Sequence, residues 1–156
     1  MRKQAAAMKI CLVASAGGHL SQLLKIVPAV AGYEAFVITT SEAVRKNLTQ
    51  FGRVYVVDEC NRQHGLKVIR VFLACWRILR RERPDVVLST GAAAGCMCCF
   101  LGKLLGARIV WVDSITNVKR LSLSGWLVRH IADLFLVQWA ELTQKYPGVE
   151  YVGTIV

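Results

Sequence analysis

Three short loops carry the residues that could do chemistry. The first, Ser15-Ala16-Gly17-Gly18-His19, follows an apolar run and opens an amphipathic stretch. Gly17 and Gly18 allow the backbone to approach a ligand closely. A helix starting there would offer unpaired N–H groups and a partial positive charge to an anion. Ser15 adds a hydroxyl, and His19 stands at the mouth, where an imidazole could take a proton from a ligand hydroxyl. The same residues would serve equally as a tight turn with a solvent-exposed histidine. The loop lacks the G-x-G-x-x-G spacing, which disfavours a nicotinamide cofactor.

The second loop runs from Ser89 to Gly95. Ser89 and Thr90 offer hydroxyl groups and Gly91 permits close approach. The bland alternative is a small-residue crossover packed tightly on a sheet. The third contains Asp113 and Ser114, then Asn117 and the basic pair Lys119-Arg120. A carboxylate at position 113 could bind a hydroxyl or orient a base, or simply cap a turn. Asn117, Lys119 and Arg120 could meet phosphate oxygens.

These loops need a scaffold, and the chain alternates short apolar runs with helical patterns, as a parallel sheet covered on both faces requires. Strands are expected at 9–14, 35–39, 54–57, 85–89, 108–112 and 134–137, with a last short one at 151–153. Helices are expected at 20–30, from a Ser41 cap through 51, at 66–82 before Pro84, at 92–105 before Gly106, and from Ser122 or Ser124 to 132. The expected fold is α/β: one doubly wound, Rossmann-like domain over residues 1–156, with residues 1–7 disordered. Ligands of such sheets bind beyond the carboxyl ends of the strands. That puts the loops at 15–19, around 59–65, 89–95 and 113–120 on one functional edge.

Composition narrows the partners. Of 156 residues, 54% are hydrophobic, and 20 Lys and Arg face 10 Asp and Glu. The size suffices for a core without disulfides, and the excess charge favours an anionic partner. The six cysteines, Cys11, Cys60, Cys75, Cys96, Cys98 and Cys99, lack zinc-knuckle spacing and read as reduced, small core residues. No metal or cofactor is expected. Lys9 breaks the apolar region near the N-terminus too early for a signal peptide, and no run of about 18 apolar residues could span a bilayer. The expectation is therefore a protein on the cytoplasmic side, touching a membrane only peripherally.

The stretch 66–82 is the clearest physical oddity. Val68, Ile69, Phe72, Cys75, Trp76 and Leu79 fall near one helical face and are expected to pack on the sheet. Val71 and Leu73 extend the apolar surface beyond it, and Arg70, Arg77, Arg80, Arg81 and Arg83 flank it. A broad apolar surface with a tryptophan and an arginine rim suits a membrane interface, with Arg70, Leu73, Trp76, Arg77, Arg80 and Arg81 as its contacts. An ordinary core helix with a solvated basic side would also fit.

Taken in order, several blocks resemble one family: Ser15 to His19, Arg83-Pro84-Asp85-Val86-Val87-Leu88-Ser89-Thr90-Gly91, Trp111-Val112-Asp113-Ser114, Leu121-Ser122-Leu123-Ser124-Gly125, Ala132-Asp133 and Val137-Gln138-Trp139. The chain is similar, over about 8–156, to the oligosaccharide-biosynthesis family that includes the membrane-anchoring subunit of the two-piece dolichol-pathway N-acetylglucosaminyltransferase. PssD-type bacterial capsule and exopolysaccharide proteins resemble it too. The resemblance implies the N-terminal half of a GT-B glycosyltransferase, which receives a lipid-diphosphate-linked glycan acceptor at the membrane. A separate donor-binding chain would hold the UDP-sugar, so that transfer, with inversion, needs both.

The resemblance further implies that Gly17, Gly18 and His19 line the cleft near the acceptor diphosphate, with His19 a base or a phosphate ligand. Ser89, Thr90 and Gly91 would form the neighbouring wall. Asp113 stands where relatives often carry glutamate. Gln138, Trp139, Tyr151 and Gly153 lie in a C-terminal segment implied to face the partner. Eukaryotic members carry an N-terminal membrane span; none is found in these 156 residues, so contact with the membrane would be peripheral or through the partner. A membrane scaffold without catalytic groups is the main alternative. A nucleic-acid-binding module and a self-sufficient phosphotransferase fit less well, since neither a nucleic-acid motif nor a G-x-x-x-x-G-K-[ST] loop occurs.

Overall fold

A computed structural model of the chain describes residues 7–59 and 65–155. The disorder expected of residues 1–7 falls, for 1–6, outside the described residues. So do Cys60, Arg62 and most of the loop expected around 59–65.

Period-2 apolar patterning makes the central strand. In β1 (Lys9–Val13), Cys11 and Val13 enter one core while Ile10 and Leu12 enter another on the opposite face. The remaining strands are β2 (Glu34–Thr39), β3 (Arg53–Val56), β4 (Val86–Ser89), β5 (Arg108–Val112), β6 (Leu134–Val137) and β7 (Glu150–Tyr151). All pairs are parallel, in the order β3-β2-β1-β4-β5-β6-β7. The chain reverses its direction of travel across the sheet between β1 and β4, the switch point at which open α/β sheets bind ligands.

One face of the sheet is covered by α1 (Gly18–Ile26) and by the short α2 (Arg45–Leu48). The other is covered by α3 (Gly65–Glu82), α4 (Ala92–Leu104), α5 (Leu123–Val128) and α6 (Glu141–Lys145). The helix expected over 20–30 begins earlier, at Gly18. It tightens to a 3-10 turn over Val27–Val30 because Pro28 has no N–H to continue the ladder. The helix expected from Ser41 breaks into 3-10, α and 3-10 pieces, and the Ser41 hydroxyl makes no cap bond. Its exit needs Gly52, whose φ is +131° and where a Cβ would sit 1.9 Å from the Ala35 carbonyl oxygen. Helix α5 ends at Val128, four residues short of the expectation, and α6 was not expected. The last strand lies at Glu150–Tyr151 rather than 151–153. Cys11, Cys75, Cys98 and Cys99 are buried free thiols and Cys96 is half-buried, packing residues as expected.

Helix α3 corrects the expected packed face. Val71, Cys75 and Leu79 are buried, whereas Ile69 is 56% and Phe72 45% exposed. The physical reason lies at the helix end. Glu82 continues the 71-75-79 row and is itself buried, ion-paired to Lys9 at 2.6 Å and Arg53 at 2.5 Å and hydrogen-bonded by the Tyr55 hydroxyl. Lys9 and Arg53 start β1 and β3, and Tyr55 lies within β3, so Glu82 fixes the rotation of α3 against the sheet and turns Ile69, Phe72 and Leu73 outward.

Burial alone would raise the Glu82 carboxyl, but the donors Lys9, Tyr55 and Arg53 outweigh it and hold it at about 2. A carboxyl lowered on folding stabilises the fold above its ordinary value near 4.5 and loses that contribution as pH falls toward 2. The span corresponds to about 3 kcal/mol. Wild type should lose stability steeply between pH 4.5 and 2 in denaturant titrations. Glu82→Gln should be less stable at pH 7 and nearly flat across that window.

Candidate functional site

The carboxyl ends of β1 and β4 bring the first two loops together. Gly17, at φ +96°, turns the chain into α1, and a Cβ at Gly17 or Gly18 would meet nothing within 4 Å. Both are exposed, so the first N–H groups of a nine-residue helix border open space, and no acidic side chain occupies its first turn. Such an end attracts an anion by about 0.3–1 kcal/mol. The Ala16 N–H donates to the Thr40 hydroxyl at 3.2 Å, tying this loop to the end of β2.

His19 is half-buried and held from the neighbouring loop. Its Nδ1 lies 2.8 Å from the Thr90 carbonyl oxygen, and the Thr90 hydroxyl donates to the His19 carbonyl at 2.7 Å. A carbonyl only accepts, so Nδ1 carries the proton and the neutral ring keeps an acceptor lone pair on Nε2. Gly91 makes room for this ring. A Cβ there would stand 2.4 Å from His19 Cε1 and 2.5 Å from Nδ1. Gly91 sits at φ +136°, which glycine adopts freely, but Ala92 at φ +68° is in the left-handed region, so backbone strain of order 1 kcal/mol gathers beside the histidine.

The wall residues are tighter than the sequence suggested. Ser89 is fully buried, and its hydroxyl accepts from the Gly91 N–H at 3.2 Å. A Cβ on Gly95 would lie 2.1 Å from that hydroxyl. The substrate contact expected of Ser89 is therefore corrected to shaping the turn. Thr90 is fully buried and Ser15 nearly so. Gly17, Gly18 and His19 are the members of these two loops that reach solvent most openly.

Asp113, at the end of β5, is 1% exposed. Its carboxylate accepts from Trp111 Nε1 (3.1 Å), Asn117 Nδ2 (3.1 Å), the Ser122 N–H (3.1 Å) and the Ser122 hydroxyl (2.7 Å). Ser122 also caps α5 by accepting from the Gly125 N–H at 2.9 Å. With both oxygens occupied, Asp113 clamps the 113–122 loop onto the sheet and offers no free lone pair to a reacting group.

Two residues that sequence reading did not pair tie these loops to one another. Gln22 on α1 donates to the Ser114 hydroxyl (3.2 Å), and its carbonyl oxygen accepts from the Ile115 N–H (3.2 Å) and from Gln138 Nε2 (2.6 Å). Gln138 Nε2 also reaches the Asp113 carbonyl (3.0 Å), and its Oε1 accepts from the Ile155 N–H (2.7 Å). The partner contact expected of Gln138 is corrected, because the side chain is 1% exposed and fully engaged inside the chain. The signal for Gln22 was available, since it follows His19 by three on a helix whose Leu20 and Leu23 are buried.

Of the other C-terminal residues, Trp139 is half-buried and donates to the Ile115 carbonyl at 2.7 Å, while Tyr151 is exposed and Gly153 partly so. On α3, Arg70, Leu73, Arg77, Arg80 and Arg81 are exposed, and half-buried Trp76 carries the Arg80 guanidinium 5.6 Å from its ring. Exposed Phe100 and Leu104 on α4, and Leu123, Trp126 and Leu127 on α5, add apolar surface on the same side of the sheet. Among the described residues no helix is long and apolar enough to cross a membrane. None of their His, Cys, Asp and Glu side chains form a group of three placed to hold a metal ion.

Comparison with known proteins adds three findings. A family model described as "Oligosaccharide biosynthesis protein Alg14 like" matches residues 38–155. A mouse (Mus musculus) protein, UDP-N-acetylglucosamine transferase subunit ALG14, is 29% identical over 96% of this chain and 83% of its own length. The Schizosaccharomyces pombe protein of the same description is 44% identical over 46% of this chain and 37% of its own. Among solved structures, Acinetobacter baumannii MurG superposes with a TM-score of 0.74 at 16% identity, over 94% of this chain and 45% of that one. UDP-GlcNAc 2-epimerase from Methanocaldococcus jannaschii gives 0.68 at 14%, over 88% and 41%. The chain thus shares the Rossmann-like GT-B fold and spans less than half the length of those enzymes.

Proposed function

Because the chain belongs to the Alg14-like family of oligosaccharide biosynthesis proteins, we propose that it is the acceptor-side subunit of a two-chain UDP-sugar glycosyltransferase. It corresponds to the N-terminal half of a GT-B enzyme, and a separate donor-binding chain completes the active site. The observation that carries a chemical role is His19, held by Thr90 and Gly91 at the switch point of the sheet, with no hydrogen-bond partner on Nε2 among the described residues. A strained turn that holds one imidazole in one tautomer supports a chemical role over a pure scaffold.

In this reading the acceptor is a glycan on a lipid diphosphate. The open N–H groups of Gly17 and Gly18 receive the diphosphate at the head of α1. His19 Nε2 takes the proton of the acceptor hydroxyl as its oxygen attacks the anomeric carbon of the UDP-sugar. The C–O bond to UDP breaks, and configuration inverts. Thr90 and Gly91 position His19, while Asp113, Ser114 and Asn117 hold the neighbouring wall through the Gln22–Gln138 link. Positioning of this kind can supply much of a rate enhancement, up to roughly 7–11 kcal/mol.

The exposed face of α3, with Leu73, Trp76 and its arginine rim, rests on the cytoplasmic surface of the membrane and presents the cleft to the lipid acceptor. Trp139, Tyr151 and Gly153 lie toward the partner chain. Division of ligands tests the reading. In titration calorimetry, the isolated chain should bind a short-chain polyprenyl-diphosphate sugar and show no saturable binding of UDP-sugars. The reverse preference would sink the assignment.

A further inference from the structure

The opposite edge of the sheet, at the amino ends of β4 and β5, holds a concavity of about 680 Å³. Its lining includes Arg80, Arg83 and Arg108, set against one carboxylate, Asp85. Asp85 already accepts the Lys9 N–H at 2.8 Å. Among the described residues, the ion pairs engage Lys9, Arg45, Arg53 and Lys103, so these three guanidiniums have no carboxylate within 4 Å. Arg83 occupies the left-handed turn after α3, at φ +47°, a position where glycine costs least. The ends of α3 and α4 direct carbonyls toward this edge, worth about half a negative charge each. Three guanidiniums exceed Asp85 and both helix ends together, and Asp133, which also feels the charge of Arg108, is already ion-paired with Lys103 at 2.8 Å.

We propose that this concavity binds the phosphate headgroup of an anionic membrane phospholipid. Guanidinium forks match phosphate oxygens in pairs. Apolar neighbours distinguish a lipid from a soluble phosphate: Met8 and Leu105, both exposed, share the lining with the arginines, and Leu104, next in sequence, is 78% exposed. Exposed apolar side chains beside the arginines suit a headgroup with its acyl chains and give nothing to free phosphate. The proposal rests on the membrane-side reading of α3. That helix has 18 residues, or about 27 Å. It runs from the cleft edge to this one, so a chain lying on α3 would seat a headgroup at one end while the lipid acceptor enters at the other.

Co-sedimentation of the full chain with vesicles tests it, using phosphatidylcholine alone and phosphatidylcholine with phosphatidylglycerol. The expected result is a wild-type preference for the anionic vesicles that falls roughly tenfold in Arg83→Lys/Arg108→Lys, because lysine keeps the charge and loses the paired contact. Binding to neutral vesicles should not change. Arg108→Lys alone should show part of the loss, which guards against a folding defect at the Arg83 turn; melting curves check both variants. Wild-type affinity in the lysine variants would reduce the effect to bulk charge and overturn the proposal. Competition by millimolar inorganic phosphate as effective as by vesicles would point instead to a soluble ligand and overturn it too. Vesicle binding indifferent to phosphatidylglycerol sinks this site and spares the α3 reading, whereas no binding to either vesicle sinks both.

Discussion

Replacing His19 by alanine should lower glycosyl transfer by the two-chain assembly by roughly two to four orders of magnitude, the usual range for a lost general base. The loss should fall on kcat. With Nδ1 protonated toward the Thr90 carbonyl, Nε2 of the neutral ring is an acceptor. It can receive a proton, but it cannot donate to a phosphate oxygen unless the ring is charged. A base predicts a kcat effect with acceptor KM within a few-fold, and a phosphate ligand predicts the reverse. Gly91→Ala should reproduce much of the loss without touching the imidazole, since a Cβ at 2.4 Å from Cε1 must displace the ring. Both variants should still co-purify with the second chain. Unchanged turnover in an intact His19→Ala complex would leave only the scaffold reading standing.

Asp113→Ala should act through folding. The carboxylate satisfies four donors from three residues, and two of these donors, the Trp111 indole and the Ser122 hydroxyl, meet the same oxygen. Trp111 is fully buried, so its N–H would lose its partner. Each orphaned buried donor costs about 1–3 kcal/mol, so a total near 3 kcal/mol or more is expected in denaturant unfolding. Gly125→Ala should be destabilising by the same route, because a Cβ there would lie 2.6 Å from Asp113 Oδ1. An Asp113→Ala protein within 1 kcal/mol of wild type yet inactive would instead return Asp113 to the reacting groups.

What could be read from the sequence follows from local physics. Strands two residues in period and the glycine-bearing helix entries at 17–18 and 91 announce themselves, because their causes lie within a few positions. The pairing of His19 with Thr90 spans 71 residues, and that of Gln22 with Gln138 spans 116. Nothing in either neighbourhood marks the other. Asp113 shows the same limit: a carboxylate at a strand end reads as a ligand, and only its four donors reveal a clamp. The face of α3 was misread because its rotation is set by Glu82, whose partners Lys9 and Arg53 come from distant strands. Apolar side chains lie on both arcs of that helix, so periodicity alone does not choose between them.

The central claim is that this chain supplies half of an active site. Its most direct test is transfer of a sugar from UDP-sugar to a polyprenyl-diphosphate acceptor in vesicles, measured for this chain, for its donor-binding partner, and for the two together. Turnover only in the combined sample is the predicted result. Full turnover from this chain alone, or from the partner without it, would contradict the account.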